Sequence, residues 1–205
     1  MIIGLSGFIG SGKDTVASYL HDKHDYWKLA FADSLKDITA SLFGWDRDVV
    51  EGSTRESRAL REVVDAGWTE RLGKVWSPRI ALQYIGTEMF REKLHPDFWL
   101  LVLERKIVSS RMKNIVISDV RFENEMEMIR KHGGQIWRIQ REETDPDWAY
   151  GNEHHSREAF IRKMVMKGIH ESEWNSIQPG VVYDKVLDND SSLEVLYEKV
   201  EDALS

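Results

Sequence analysis

No cysteine occurs in the chain, so disulfide stapling and thiolate metal sites are excluded, and the composition suits a reducing cytoplasm. No apolar run approaches the length needed to span a bilayer, so no membrane partner is expected. The opening residues read as a strand and not as a signal peptide, because residues 7–13 interrupt the apolar run too early. Positive charge is not in excess either. The formal net charge is −7 and the isoelectric point is near 5.5, which argues against a surface that coats nucleic acid but allows arginines focused in one cleft. No internal repeat or low-complexity tract is present. What remains is a chain of 205 residues, enough for one domain with a full core, and its expected partners are small molecules.

The most informative stretch is Gly7-Phe8-Ile9-Gly10-Ser11-Gly12-Lys13-Asp14-Thr15. It follows the apolar run Ile2-Ile3-Gly4-Leu5 and precedes an amphipathic one, so its glycines sit where a strand turns into a helix. That context makes it a phosphate-binding P-loop. Glycine lets the backbone turn tightly and aim successive N–H groups inward, and the helix behind adds its positive dipole end. Gly10, Ser11 and Gly12 thus hold an anion through the backbone, and Lys13 supplies a mobile charge for the outer phosphates. Asp14 stands where a Ser or Thr hydroxyl usually meets magnesium, with Thr15 next to it. Asp14 reads as an outer-shell magnesium group or as a charge at a helix N-terminus.

Periodicity and turn residues predict a strand over 26–32, a helix from Asp33-Ser34 to Gly44, and a helix near 55–66. A loop is expected over 67–78, and a helix over 79–93 with Leu82, Ile85 and Met89 as its apolar line. Another helix opens at Pro96-Asp97, and Ile115-Val116-Ile117 marks the clearest buried strand, ending at Asp119. A helix over 122–132, a strand over 135–141, a strand over 181–187 and a final helix after Ser191-Ser192 complete the pattern. Residues 142–180 are polar, carry a helix near 157–167, and read as a lid-like insertion with few apolar anchors. Eight tryptophans spread along the chain are expected mostly in the core or in cleft walls. Strands alternating with helices imply an α/β fold with a mostly parallel sheet and helices on both faces, with ligands at the carboxyl ends of the strands.

Phosphoryl transfer needs cations, a magnesium carboxylate and exclusion of water more than a reactive side chain. Asp119, at the end of a buried strand, suits the magnesium role, although such a residue also serves as a helix cap. Arg121 and Arg141 lie at or just past strand ends, where guanidinium groups can bind phosphate bidentately. Arg79, Gln83, Thr87 and Arg91 recur every four residues and form a polar stripe, which by spacing alone is a solvated helix face. Among the seven histidines, His154-His155 with Glu153 and His170 invites a metal reading, but no evenly spaced His and carboxylate set supports zinc.

The GKDT of the P-loop, Phe31-Ala32-Asp33-Ser34-Leu35-Lys36, Leu82-Gln83-Tyr84-Ile85-Gly86-Thr87-Glu88, and Ile117-Ser118-Asp119-Val120-Arg121-Phe122-Glu123-Asn124-Glu125 together resemble the T-even-phage-type deoxynucleoside monophosphate kinases. The resemblance runs over nearly the whole chain. It implies the P-loop kinase fold, a three-layer sandwich in one domain, with a helical acceptor region at 45–113 and the lid at 142–180. It also implies ATP- and Mg²⁺-dependent phosphorylation of deoxynucleoside 5′-monophosphates for DNA synthesis, in the cytoplasm of a host if phage-encoded. Lys13, Asp119, Arg121 and Arg141 are then catalytic. Asp14, Thr15 and Asn189 join the ATP site, and Asp14, Thr15 and Asp119 serve the metal, mainly through water. Asp33, Lys36, Arg79, Gln83, Arg91, Trp99 and Arg121 face the acceptor. A homodimer is compatible with the resemblance. Another small-molecule P-loop kinase, of the phosphomevalonate or dephospho-coenzyme A type, and a non-enzymatic nucleotide switch are the rival readings.

Overall fold

A computed structural model describes residues 1–52, 54–142, 156–168 and 174–205. In chain order the elements are β1 (Ile2–Ser6), α1 (Lys13–His24), β2 (Trp27–Leu29), α2 (Asp33–Phe43), α3 (Arg47–Glu51), α4 (Arg55–Glu62), α5 (Ala66–Leu72) and α6 (Pro78–Gln83). The last of these runs on as a π-helix over Tyr84–Glu92. There follow α7 (Phe98–Ser109), β3 (Ile115–Ile117), α8 (Glu123–Lys131), β4 (Gln135–Gln140), α9 (Arg157–Met166), β5 (Lys185–Asp188) and α10 (Leu193–Leu204). The chain divides into two compact units, Met1–Ala30 with Arg111–Ser205, and Phe31–Ser110. The second unit starts well before the helical region expected from residue 45, because α2 packs on α3, α6 and α7.

The first unit holds one five-stranded sheet in the order β2-β3-β1-β4-β5, with every pairing parallel. Alternate residues of β1 point to opposite faces. Ile3 and Leu5 enter a core with Val16 and Leu20 of α1 and with Leu196 and Val200 of α10. Gly4 faces the other way. A Cβ there would lie 2.6 Å from Ile129 Cδ1 of α8 and 3.0 Å from Val120, so a glycine at this point lets α8 close on the sheet. The result is a three-layer α/β sandwich with α1 and α10 on one face and α8 on the other. The last strand begins at Lys185 and not at 181. Asp184 takes the ladder position before it, its N–H donating to the Ile136 carbonyl at 2.8 Å while its carboxylate accepts from the Ile136 N–H at 2.7 Å.

The second unit is helical, and it departs from expectation twice. Part of the expected loop over 67–78 is α5, which Asp65 caps by accepting from the Trp68 N–H at 2.9 Å. Asp65 also accepts from the Trp45 indole at 2.8 Å, and the Trp68 indole donates to the Phe43 carbonyl at 3.0 Å, so this short helix stands on long-range aromatic partners. The helix expected over 79–93 is present, but its second part is π-wound. More than 3.6 residues per turn carry the apolar line off its face, which is why Ile85 is 3% exposed and Met89 48%. Among the described residues no helix is long and apolar enough to cross a membrane.

Candidate functional site

The loop between β1 and α1 is built on glycine backbone geometry. Gly7, Gly10 and Gly12 have φ of 148°, 84° and 105°. A side chain at Gly7 would run into the Ile139 carbonyl, and one at Gly12 into the Asn189 amide. Gly12 at the N-cap of α1 has no side chain with which to cap it, and the positive dipole end of the helix adjoins the loop. Lys13 Nζ donates to the Gly7 and Phe8 carbonyls, both at 2.7 Å, and the Ser11 N–H donates to the Phe8 carbonyl at 3.2 Å. Ser11 is fully buried, and among the described residues its hydroxyl has no hydrogen-bond partner.

Parallel pairing places the other candidates of this unit along the same sheet edge. Gly4 lies opposite Ile117, and the Val120 N–H donates to the Leu5 carbonyl at 3.1 Å, so Asp119 comes level with the end of β1, one strand from the loop. Arg121 follows in a turn held by Glu125. That carboxylate is 4% exposed and accepts from the Arg121 N–H at 2.7 Å and the Phe122 N–H at 3.1 Å through one oxygen. Sequence reading did not single out Glu125. Its signal was a Glu at the third position of a helix, the acidic half of a capping box.

Asn189 Nδ2 donates to the Ser11 carbonyl at 2.8 Å and so braces the phosphate loop. Arg141 lines an open concavity of about 370 Å³ with Glu142, Asp190 and Ser191, at the carboxyl ends of β4 and β5. Asp14 is exposed and pairs with Lys28 Nζ at 3.8 Å. Thr15 and Asp119 are half-buried.

The described part of the expected insertion over 142–180 is better anchored than its composition suggests. Phe160 and Met164 stand one turn apart on α9 and join Trp174, Ile177 and Phe8 of the phosphate loop in a second apolar core. Arg157 pairs with Glu123 at 2.8 Å and donates to Gln178 at 3.0 Å. Glu153, His154, His155 and His170 lie outside the described residues. Among the described ones no group of three or more metal-binding side chains occurs.

In the second unit Asp33 and Lys36 open α2 beside an ion network. Lys36 binds Glu51 at 2.9 Å, and Arg47 bridges Glu51, Asp37 at 2.8 Å and Asp33 at 3.6 Å. Burial pushes the Glu51 carboxyl up, but Lys36 and Arg47 outweigh it, and the group lies below its ordinary value. Gln83 and Thr87 are exposed, as a polar stripe requires, and Arg91 is half-buried. Arg79 is exposed and paired with Glu62. Trp99, expected at the acceptor, points inward in this unit. It is 3% exposed, packed by Phe90 and Phe98, and its indole donates to the Gly86 carbonyl at 2.9 Å. Through this bond it ties α7 to the π-helix.

A family model described as deoxynucleotide monophosphate kinase matches residues 48–200. A protein of Acanthamoeba polyphaga mimivirus, assigned as a deoxynucleotide monophosphate kinase, is 32% identical over 213 residues, which cover 98% of this chain and 94% of that protein. The deoxynucleoside-5′-monophosphate kinase of Escherichia phage T5 is 27% identical over 180 residues, 64% of this chain and 72% of its own.

Proposed function

Because the chain belongs to the deoxynucleotide monophosphate kinase family, we propose that it transfers the γ-phosphoryl group of ATP to deoxynucleoside 5′-monophosphates, with Mg²⁺, as a cytoplasmic enzyme supplying diphosphates for DNA synthesis. The observation that carries this reading is the uncapped start of α1 behind a glycine loop and Lys13, with Asp119 level on the neighbouring strand. Backbone N–H groups of Gly10 and Gly12 bind the donor phosphates in a loop that the Ser11 N–H shapes through the Phe8 carbonyl, and Lys13 exchanges its two carbonyl partners for phosphate oxygens. Asn189 keeps the loop in register. The concavity beside Arg141, Glu142, Asp190 and Ser191 offers the donor nucleoside a polar wall.

The donor set suits magnesium. Thr15 and Asp119 offer oxygen alone, and Mg²⁺ keeps several waters and phosphate oxygens, so it needs no dense carboxylate cage. Asp14, exposed and facing Lys28, fits the helix N-terminal charge better than a metal contact. When bound, the metal neutralises charge between the outer phosphates. Arg121 provides the guanidinium for phosphate oxygens during transfer, on a turn that Glu125 fixes. In the second unit Asp33, Lys36, Arg79, Gln83 and Arg91 supply the acceptor contacts, with Gln83 able to donate to and accept from a base edge.

A coupled assay of ADP formation across the deoxynucleoside and ribonucleoside monophosphates tests the reading. ADP release that depends on a deoxynucleoside monophosphate supports it. ADP release from ATP and water alone, or only with a non-nucleotide acceptor, overturns it.

A further inference from the structure

Phe8 stands inside the phosphate loop, yet its side chain is 6% exposed in an apolar cluster that other parts of the chain build. Phe160 and Met164 come from α9, Trp174 and Ile177 from the segment that follows, and each is at most 5% exposed. The carbonyl of the same residue accepts from Lys13 Nζ at 2.7 Å and from the Ser11 N–H at 3.2 Å. One residue therefore joins an apolar plug on its side-chain side to the two donors that shape the phosphate loop on its backbone side. The cluster is held independently by Arg157 of α9, which pairs with Glu123 at 2.8 Å, and by Ser176, between Trp174 and Ile177, whose hydroxyl accepts from Ser6 of β1 at 2.9 Å.

We infer that α9, acting through Phe160 and Phe8, is a positioning element that sets the affinity of the phosphate loop for the donor nucleotide; this rests on the donor site proposed above. A cavity at Phe160 releases the Phe8 side chain and with it the backbone of the loop that Phe8 belongs to, so donor binding must then order a loop that the intact plug holds in place. Because coupling is reciprocal, donor binding must tighten α9 by the same factor that a seated α9 tightens donor binding.

Two measurements test this on the full chain. In Phe160→Ala, with Phe160→Leu beside it as the conservative replacement, the dissociation constant of a non-hydrolysable ATP analogue is expected to rise about tenfold while the acceptor KM stays within about twofold, and leucine restores most of the loss. Amide exchange in α9 of the unaltered protein is expected to slow when the analogue binds, a result that does not depend on how well the variant folds. Unchanged donor affinity in a folded Phe160→Ala protein, an equal loss for both substrates, or α9 exchange indifferent to the analogue overturns the inference. If the unaltered protein does not bind the analogue at all, the donor site itself is refuted.

Discussion

Lys13 reaches the ligand from a bonded state, since both of its carbonyl partners belong to the loop that presents it. In the proposed reaction its ammonium leaves these carbonyls and acts on charge that grows during transfer. Lys13→Met keeps the length and removes the charge, so turnover should fall by about two to three orders of magnitude with the fold intact. Near-normal turnover in a folded variant would refute the phosphate-loop assignment. Arg121 is a cleaner test than a turn residue usually is, because Glu125 grips its backbone N–H, which alanine retains. Arg121→Ala should raise the acceptor KM and lower turnover by about 2–4 kcal/mol in kcat/KM, with little change in ATP binding. A loss below about 0.5 kcal/mol is what a solvated surface arginine would give.

At the scale of elements, the π-helix over Tyr84–Glu92 depends on Trp99. Phenylalanine keeps the ring contacts with Phe90 and Phe98 but removes the donor to the Gly86 carbonyl. Trp99→Phe should therefore cost about 1–2 kcal/mol of stability, read from the urea midpoint, and leave the acceptor KM nearly unchanged. A large rise in acceptor KM at unchanged stability would return Trp99 to the base-contact role. The contrast with the phosphate loop explains what sequence could show. Glycines before Gly12-Lys13, the β-branched Ile115-Val116-Ile117 and the caps of the final helix are local signals, each complete within a few residues. By contrast, α5 depends on Trp45 and Phe43, the winding after Gln83 on Trp99, and the anchoring of α9 on Phe8, partners far along the chain that no window around each element contains. Arg121 was legible as a strand-end cation. Glu125 was not, because a helix-start glutamate is common and only its burial sets it apart.

For the whole molecule, both units hold carboxyls below their ordinary values. Glu51 lies below 4.5 despite its burial, through Lys36 and Arg47. Asp65 lies below 3.8, mainly through the Trp68 N–H and then the Trp45 indole. Glu201 of α10 lies below 4.5 through the Tyr19 hydroxyl and then His24, both on α1. A group whose folded value is depressed stabilises the fold above its unfolded value, and that contribution is lost as pH falls through the folded one. Stability from these groups should thus be full near neutrality and decline as pH falls below about 4.5. Thermal midpoints across the acid range give the check, and a midpoint that rises on acidification from about pH 5 to about pH 3 would contradict the three assignments together.

The strand order sets a schedule for synthesis. β1 and β2 emerge first but do not pair with each other, because β3 lies between them. That strand is translated only after the whole of Phe31–Ser110, so the later-numbered unit is complete on the ribosome while the first two strands still lack every partner in the sheet. The helical unit is free to fold first, on contacts near in sequence, and the sheet closes late on contacts about a hundred residues apart, the slow and aggregation-exposed step.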